Sequence, residues 1–170
     1  MPISIDTLRS ASSRSGFAKS ARTLTEARSL GVRTAFLCHS HDDASMVRGL
    51  LNLIQEDGWR VYVDWQDPAM SDKTTRETAE KIKLTIRAMD YFLFLATPNS
   101  VASRWCPWEI GYADGEKAAD HILIIPTTDR SGSWYGNEYL QLYRKIDETK
   151  DGRLGVWNPN ETSGVYLSTL

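Results

Sequence analysis

The stretch Ser103-Arg104-Trp105-Cys106-Pro107-Trp108-Glu109-Ile110-Gly111-Tyr112 places one carboxylate, Glu109, four residues after a tryptophan in strongly aromatic surroundings. On a helix that separation sets both side chains on one face, with Cβ atoms about 5–6 Å apart. Pro107 is comfortable only in a helix's first turn, so the helix must begin close to Trp105, with Ser103 as a candidate cap. Glu109 then falls in or just past that turn, where the helix dipole favours an ionised carboxylate. It is either an ordinary helix-start acid or a carboxylate desolvated for chemistry. Its setting between Trp105, Trp108 and Tyr112 favours the second.

Other residues could serve such a site. His39, Ser40 and His41 follow the apolar run Thr34–Cys38, where short polar side chains and backbone N–H groups can meet phosphates. The alternative is a polar turn in which Ser40 or Asp43 caps the next helix. Asp64 and Trp65 end the next apolar run. Asp64 reads as a cap on the turn there. Trp65 either packs or stacks on a ligand, and Trp59 and Trp108 read as core. A phospho-receiver also wants acids after its first strand, which Asp42 and Asp43 offer. It further needs an aspartate at the end of the third strand, and this chain has "LATPN". Cys38, His39 and His41 match no usual zinc spacing, so no metal is expected. No glycine-rich phosphate loop and no placeable Ser-His-Asp or Cys-His arrangement occurs.

The elements that must position these residues follow from periodicity. Short apolar runs at 34–40, 59–65, 91–97 and 121–127 alternate with amphipathic helical segments at 44–58, 75–90 and within 104–119. A short helix is expected over "EYLQLYRKI" (138–146) and a weak last strand around "LGVWN" (154–158). Strand and helix in alternation, with strands apolar throughout, predict an α/β fold: a flavodoxin-like, doubly wound parallel sheet of about five strands, order 2-1-3-4-5, in three layers. Ligands then bind beyond the carboxyl ends of the first and third strands. The segments 38–43 and 97–105 line that crevice, which brings Glu109 to it.

Length and charge bound the rest. The chain has 170 residues, enough for one domain with a sizeable core. Residues 1–33 carry a balance of +4 and the remainder −6, so the domain lacks the basic face of a nucleic-acid binder. The Ser/Arg-rich leader resembles a transit peptide in composition, but "TLTEARSLG" has helical spacing and ends in Gly31. Residues 1–32 are therefore expected to form an N-terminal helical arm on a domain spanning 33–170. No apolar run approaches the ~20 residues that cross a bilayer. Two cysteines without a CxxC pair read as a reduced, cytoplasmic chain.

Three motifs in order give a resemblance. "FLCHSHDD" is similar to the opening strand FISYSxxD of Toll/interleukin-1 receptor (TIR) domains of the bacterial kind, through Phe36, Ser40 and Asp43. Cys38 stands where that pattern has serine and His39 where it has tyrosine. "GWRVYVDW" resembles the family's second signature through Gly58 and Asp64. The following BB loop keeps Pro68 but has Ala69-Met70 where a glycine often follows. Ser103, Trp105, Cys106 and Glu109 meet the third signature, S-x-W-C-x-x-E, in full.

The resemblance implies cleavage of NAD at the nicotinamide–ribose bond, with Glu109 as the catalytic glutamate and NAD as substrate rather than cofactor. Ordinary glycosidases need a second carboxyl group to protonate the leaving oxygen. Nicotinamide leaves a pyridinium as a neutral molecule, so one anion beside an oxocarbenium-like ribose suffices. Substrate contacts are implied for His39, Ser40, His41, Asp64, Trp65, Ser103 and Trp105. Products range from ADP-ribose to a cyclic or transferred form, as in antiphage signalling, read by a separate effector. The family also implies self-association through the loop Asp67–Lys73. The alternative is a TIR module that only assembles with other TIR domains.

Overall fold

The computed structural model describes residues 1–14, 23–64, 75–135 and 137–170, with the backbone alone described at positions 62, 64, 134 and 135. The chain opens with a two-residue strand β1 (Ile3–Ser4) and helices α1 (Ile5–Ala11) and α2 (Leu24–Ser29). The alternating body follows: β2 (Arg33–Cys38), α3 (Ala44–Glu56), β3 (Val61–Asp64), α4 (Arg76–Ala88), β4 (Tyr91–Ala96), α5 (Pro98–Ala102), α6 (Cys106–Glu116) and β5 (Ile122–Thr128). The chain closes with β6 (Trp134–Tyr135), β7 (Arg144–Glu148), β8 (Leu154–Trp157) and β9 (Gly164–Tyr166).

The strands form one sheet in the order β3-β2-β4-β5-β7-β8-β9. Pairing is parallel from β3 to β7 and antiparallel beyond. β1 runs parallel to the end of β5, Ile3 opposite Thr127, and β6 lies antiparallel to the same end. The flavodoxin-like α/β class read from periodicity holds, with the crossover at the predicted place between β2 and β4.

Side-chain alternation explains the three layers. Ala35 and Leu37 of β2, Leu93 and Leu95 of β4, and Leu123 and Ile125 of β5 face one side, against Met46, Val47, Leu50 and Ile54 of α3. Phe36 and Cys38, Phe92 and Phe94, and Ile122 and Ile124 face the other, against Ile82 and Ile86 of α4 and Cys106, Ile110 and Ala113 of α6. A strand covered on both faces has no polar face to alternate, which is why these runs read as apolar throughout. The predicted helix stops hold as well: Gly31 and Gly58 adopt φ of 63° and 88°, which L side chains rarely take.

Residues 1–14 join this core. Ile3 and Leu8 belong to the α3-side cluster, and Asn52 donates its side-chain amide to the carbonyls of Ala11 (2.8 Å) and Arg14 (3.0 Å) at the end of α1. A Cβ at Gly49 would stand 1.8 Å from the Leu8 carbonyl oxygen, so α1 seats on α3 only because Gly49 has no side chain. Gly49→Ala is expected to lift α1 and cost about 1–3 kcal/mol in denaturant unfolding, with faster proteolysis before residue 33. Unchanged stability and cleavage would mean that the contact contributes nothing.

Two local expectations are corrected. The helix expected over 138–146 is a short 3-10 turn at Glu138–Leu142 followed by strand β7. The unpaired edge of β5 recruits Arg144–Glu148 and overrides local helical spacing. "LGVWN" does form a strand, β8, but antiparallel to β7 and one place further out. The segment 97–105, to which periodicity assigned no element, contains α5, closed by a capping box between Thr97 and Ser100. Among the described residues no helix is long and apolar enough to cross a membrane.

Candidate active site

Helix α6 starts where its sequence requires. Pro107 occupies the first turn, and the Ser103 hydroxyl accepts hydrogen bonds from the backbone N–H groups of Trp105 (3.2 Å) and Cys106 (3.4 Å). The Glu109 N–H donates to the Trp105 carbonyl at 2.8 Å, so Glu109 lies in the first turn. It faces inward and is only 5% exposed.

Its environment is two buried thiols. Donor atoms of Glu109, of Cys106 on the same helix and of Cys38 at the end of β2 all lie within 4.8 Å of one another, and both cysteines are free. Burial raises the Glu109 carboxyl from 4.5 to about 7, opposed by a hydrogen bond from Cys38. The helix dipole thus loses to desolvation. Burial also pushes the Cys38 thiol well above its ordinary value, with its hydrogen bond to Cys106 next in weight. Among the described residues, these are the one group that could offer a metal three donors. Among the described residues no fourth donor completes the tetrahedral set that zinc takes, and a protonated thiol is a poor ligand. The trio fits a hydrogen-bonded acid better than a metal centre.

A second buried acid braces the crevice. Asp43 is fully buried and accepts hydrogen bonds from the Thr97 hydroxyl (2.5 Å) and the Asn99 side-chain amide (2.7 Å). It ties the chain leaving β2 to the chain leaving β4, across the crevice mouth. Sequence reasoning noted Asp43 as a motif residue and possible cap, but it makes no side-chain cap bond to α3. Thr97 and Asn99 went unnamed; the signal available was "TPN" directly after an apolar strand. Asp43→Ala is expected to cost about 2 kcal/mol, because the buried Thr97 hydroxyl loses its acceptor and the exposed Asn99 amide its anchor. Stability within about 0.5 kcal/mol of wild type would show that water replaces the carboxylate.

The remaining expected residues divide. His39 is half-buried, its Nδ1 2.9 Å from the Leu37 carbonyl oxygen, and burial lowers its basicity. Its ring lies 6.4 Å from that of the exposed His41. Ser40 caps the 3-10 turn that precedes α3, accepting from the Asp42 N–H at 3.4 Å. All three follow β2, at the crevice. Trp105 is half-buried and meets Trp108 edge-on at 5.4 Å, and Trp108 stacks on Tyr112 at 6.0 Å. Trp108 was expected in the core, as Trp59 is at 2% exposure, but is 37% exposed, with Lys83 6.0 Å from its ring. The short first turn of α6 aims Glu109 inward and leaves its preceding neighbour outside. Asp64 ends β3 with its Cα paired to Phe36. Trp65 and the loop Asp67–Lys73 lie outside the described residues.

Comparison with known proteins bears on this geometry. Residues 35–153 match the family model described as a TIR domain. Over 110 residues, 64% of the chain, the sequence is 39% identical to a protein of Bacillus cereus (strain MSX-D12) named "Probable 3' cyclic ADP-D-ribose synthase ThsB'". That alignment covers 57% of the relative, so the chain spans little more than half its length.

Proposed function

The chain belongs to the TIR domain family, and on that footing we propose that it cleaves NAD at the nicotinamide–ribose bond, with Glu109 as the catalytic residue. The observation that carries this reading is one buried carboxylate in the first turn of α6, at the predicted ligand crevice and, among the described residues, without a second carboxylate beside it. A positively charged substrate suits such a group. Developing charge on the ribose meets an anion that little water screens. The bond from ribose C1′ to the pyridinium nitrogen breaks, and its electron pair leaves with neutral nicotinamide. C1′ then bonds to an oxygen nucleophile, which gives up one proton.

The similar Bacillus cereus protein is named as a cyclic ADP-ribose synthase. That name supports a nucleophile within the same ADP-ribose, hence a cyclic product, over water. Trp105 walls the ribose side, Ser103 fixes the helix start, and His39, Ser40 and His41 approach the phosphates. Asp64 and Trp65 are assigned substrate contacts as well. The protein acts in the cytoplasm as a self-associating enzyme in antiphage defence, using the loop Asp67–Lys73, with a separate effector reading the product.

Incubating concentrated protein with NAD and resolving products by mass tests the reading. Nicotinamide together with a product of ADP-ribose mass less one water is expected. ADP-ribose itself would keep the cleavage and replace cyclisation by hydrolysis. No nicotinamide at any protein concentration would leave a TIR module that only assembles.

A further inference from the structure

Cys38 belongs to β2 and Glu109 to α6, yet their side chains meet inside the core, 71 residues apart in the chain. The thiol has one proton and two acceptors within reach. Its sulfur lies 4.0 Å from the Cys106 carbonyl oxygen, the long limit for such a donor, and within 4.8 Å of the Glu109 carboxylate. We propose that Cys38 is a positioning residue for Glu109, its S–H donating a hydrogen bond to the Cys106 carbonyl while the acid is neutral and to the carboxylate once it ionises. One carboxylate oxygen is then pinned and the other is left for substrate.

Geometry supports this assignment. Both side chains are almost wholly out of water, so a neutral thiol is the cheapest donor the site can hold, and no solvent competes for it. Among the described residues, the groups packed around Glu109 bring no competing charge to it. Cys106 is a second buried thiol. The α4 cations Lys83 and Arg87 are engaged on the outer face, with Trp108 and Tyr112, and with Glu116 at 2.8 Å from Arg87. Asp43 is held by Thr97 and Asn99. A hydrogen bond donated by Cys38 would favour the ionised acid against the burial that opposes it.

The inference rests on Glu109 being the reactive acid, but its test does not need turnover. With carbon-13-labelled glutamate in the full chain, the Glu109 carboxyl resonance is assigned by its loss in Glu109→Gln and followed against pH. Cys38→Ala is expected to move the titration midpoint up by about 0.5–1 pH unit, and Cys38→Ser, which keeps a donor, to restore most of it. Cys38→Val, which refills the volume without a donor, makes the same comparison should the alanine chain fail to fold. An unmoved midpoint in a folded donor-less variant, or a serine chain that behaves like alanine, overturns the proposal. A shifted midpoint in a wild-type chain that releases no nicotinamide would strike the proposed activity and leave the thiol's hold on Glu109 standing.

Discussion

Glu109→Gln is expected to retain the fold and lose about 10²–10³ in the rate of nicotinamide release. The two side chains are nearly isosteric, and the amide can still accept from a ribose hydroxyl. What disappears is the negative charge next to the developing oxocarbenium ion. Because that charge matters most in the transition state, the loss belongs in kcat, with KM for NAD changing little. Steady-state nicotinamide release by both proteins makes the comparison. A glutamine variant within about threefold of wild type would remove Glu109 from the chemistry. A large rise in KM at unchanged kcat would make it a ground-state binding group instead.

The same substitution should stabilise the protein at alkaline pH. The folded chain holds the Glu109 proton up to about 7, whereas the carboxyl's ordinary value is 4.5. Between those values the folded state binds the proton that the unfolded state has released, so wild-type stability falls as pH rises through this window and then levels off. A gap of this size corresponds to about 3 kcal/mol. Glutamine carries no such penalty. Denaturant unfolding at pH 8 should therefore favour Glu109→Gln by about 3 kcal/mol, and the two proteins should converge near pH 4. Equal stabilities across the range would mean that Glu109 is solvated, and the desolvated acid would be lost with it. A charge kept at such cost in a dry first turn is what a site under functional demand would show.

Both expectations depend on features the sequence revealed unevenly. Uninterrupted apolar runs identified β2, β4 and β5, because burial on both faces leaves a local trace in residue type. β7 left none. Tyr139, Leu140, Tyr143 and Ile146 have helical spacing, and only the open edge of β5 decides that Arg144–Glu148 extends. β1 pairs through two residues, too few to show any period.

The site was legible where its constraint is local. Pro107, Ser103 and the four-residue step from Trp105 to Glu109 fix the start of α6 and the turn that holds the acid. Its burial against Cys38 was not legible, because nothing in residues 33–38 records which helix covers them. Asp43 was visible as an acid after a strand, but its partners Thr97 and Asn99 arrive from a crossover more than fifty residues later. Trp108 misled because an aromatic beside a buried helix face looks like core, whereas it ends beside Lys83 near the surface.

In the proposed reaction an ionised, desolvated Glu109 breaks the nicotinamide bond. The pH dependence of kcat/KM for nicotinamide release tests it most directly, since that quantity reports the titration of the free enzyme's essential group. With the carboxyl titrating at about 7, activity should rise about tenfold from pH 6 to pH 8 and then level. A profile that is flat or falls over that interval would contradict the account.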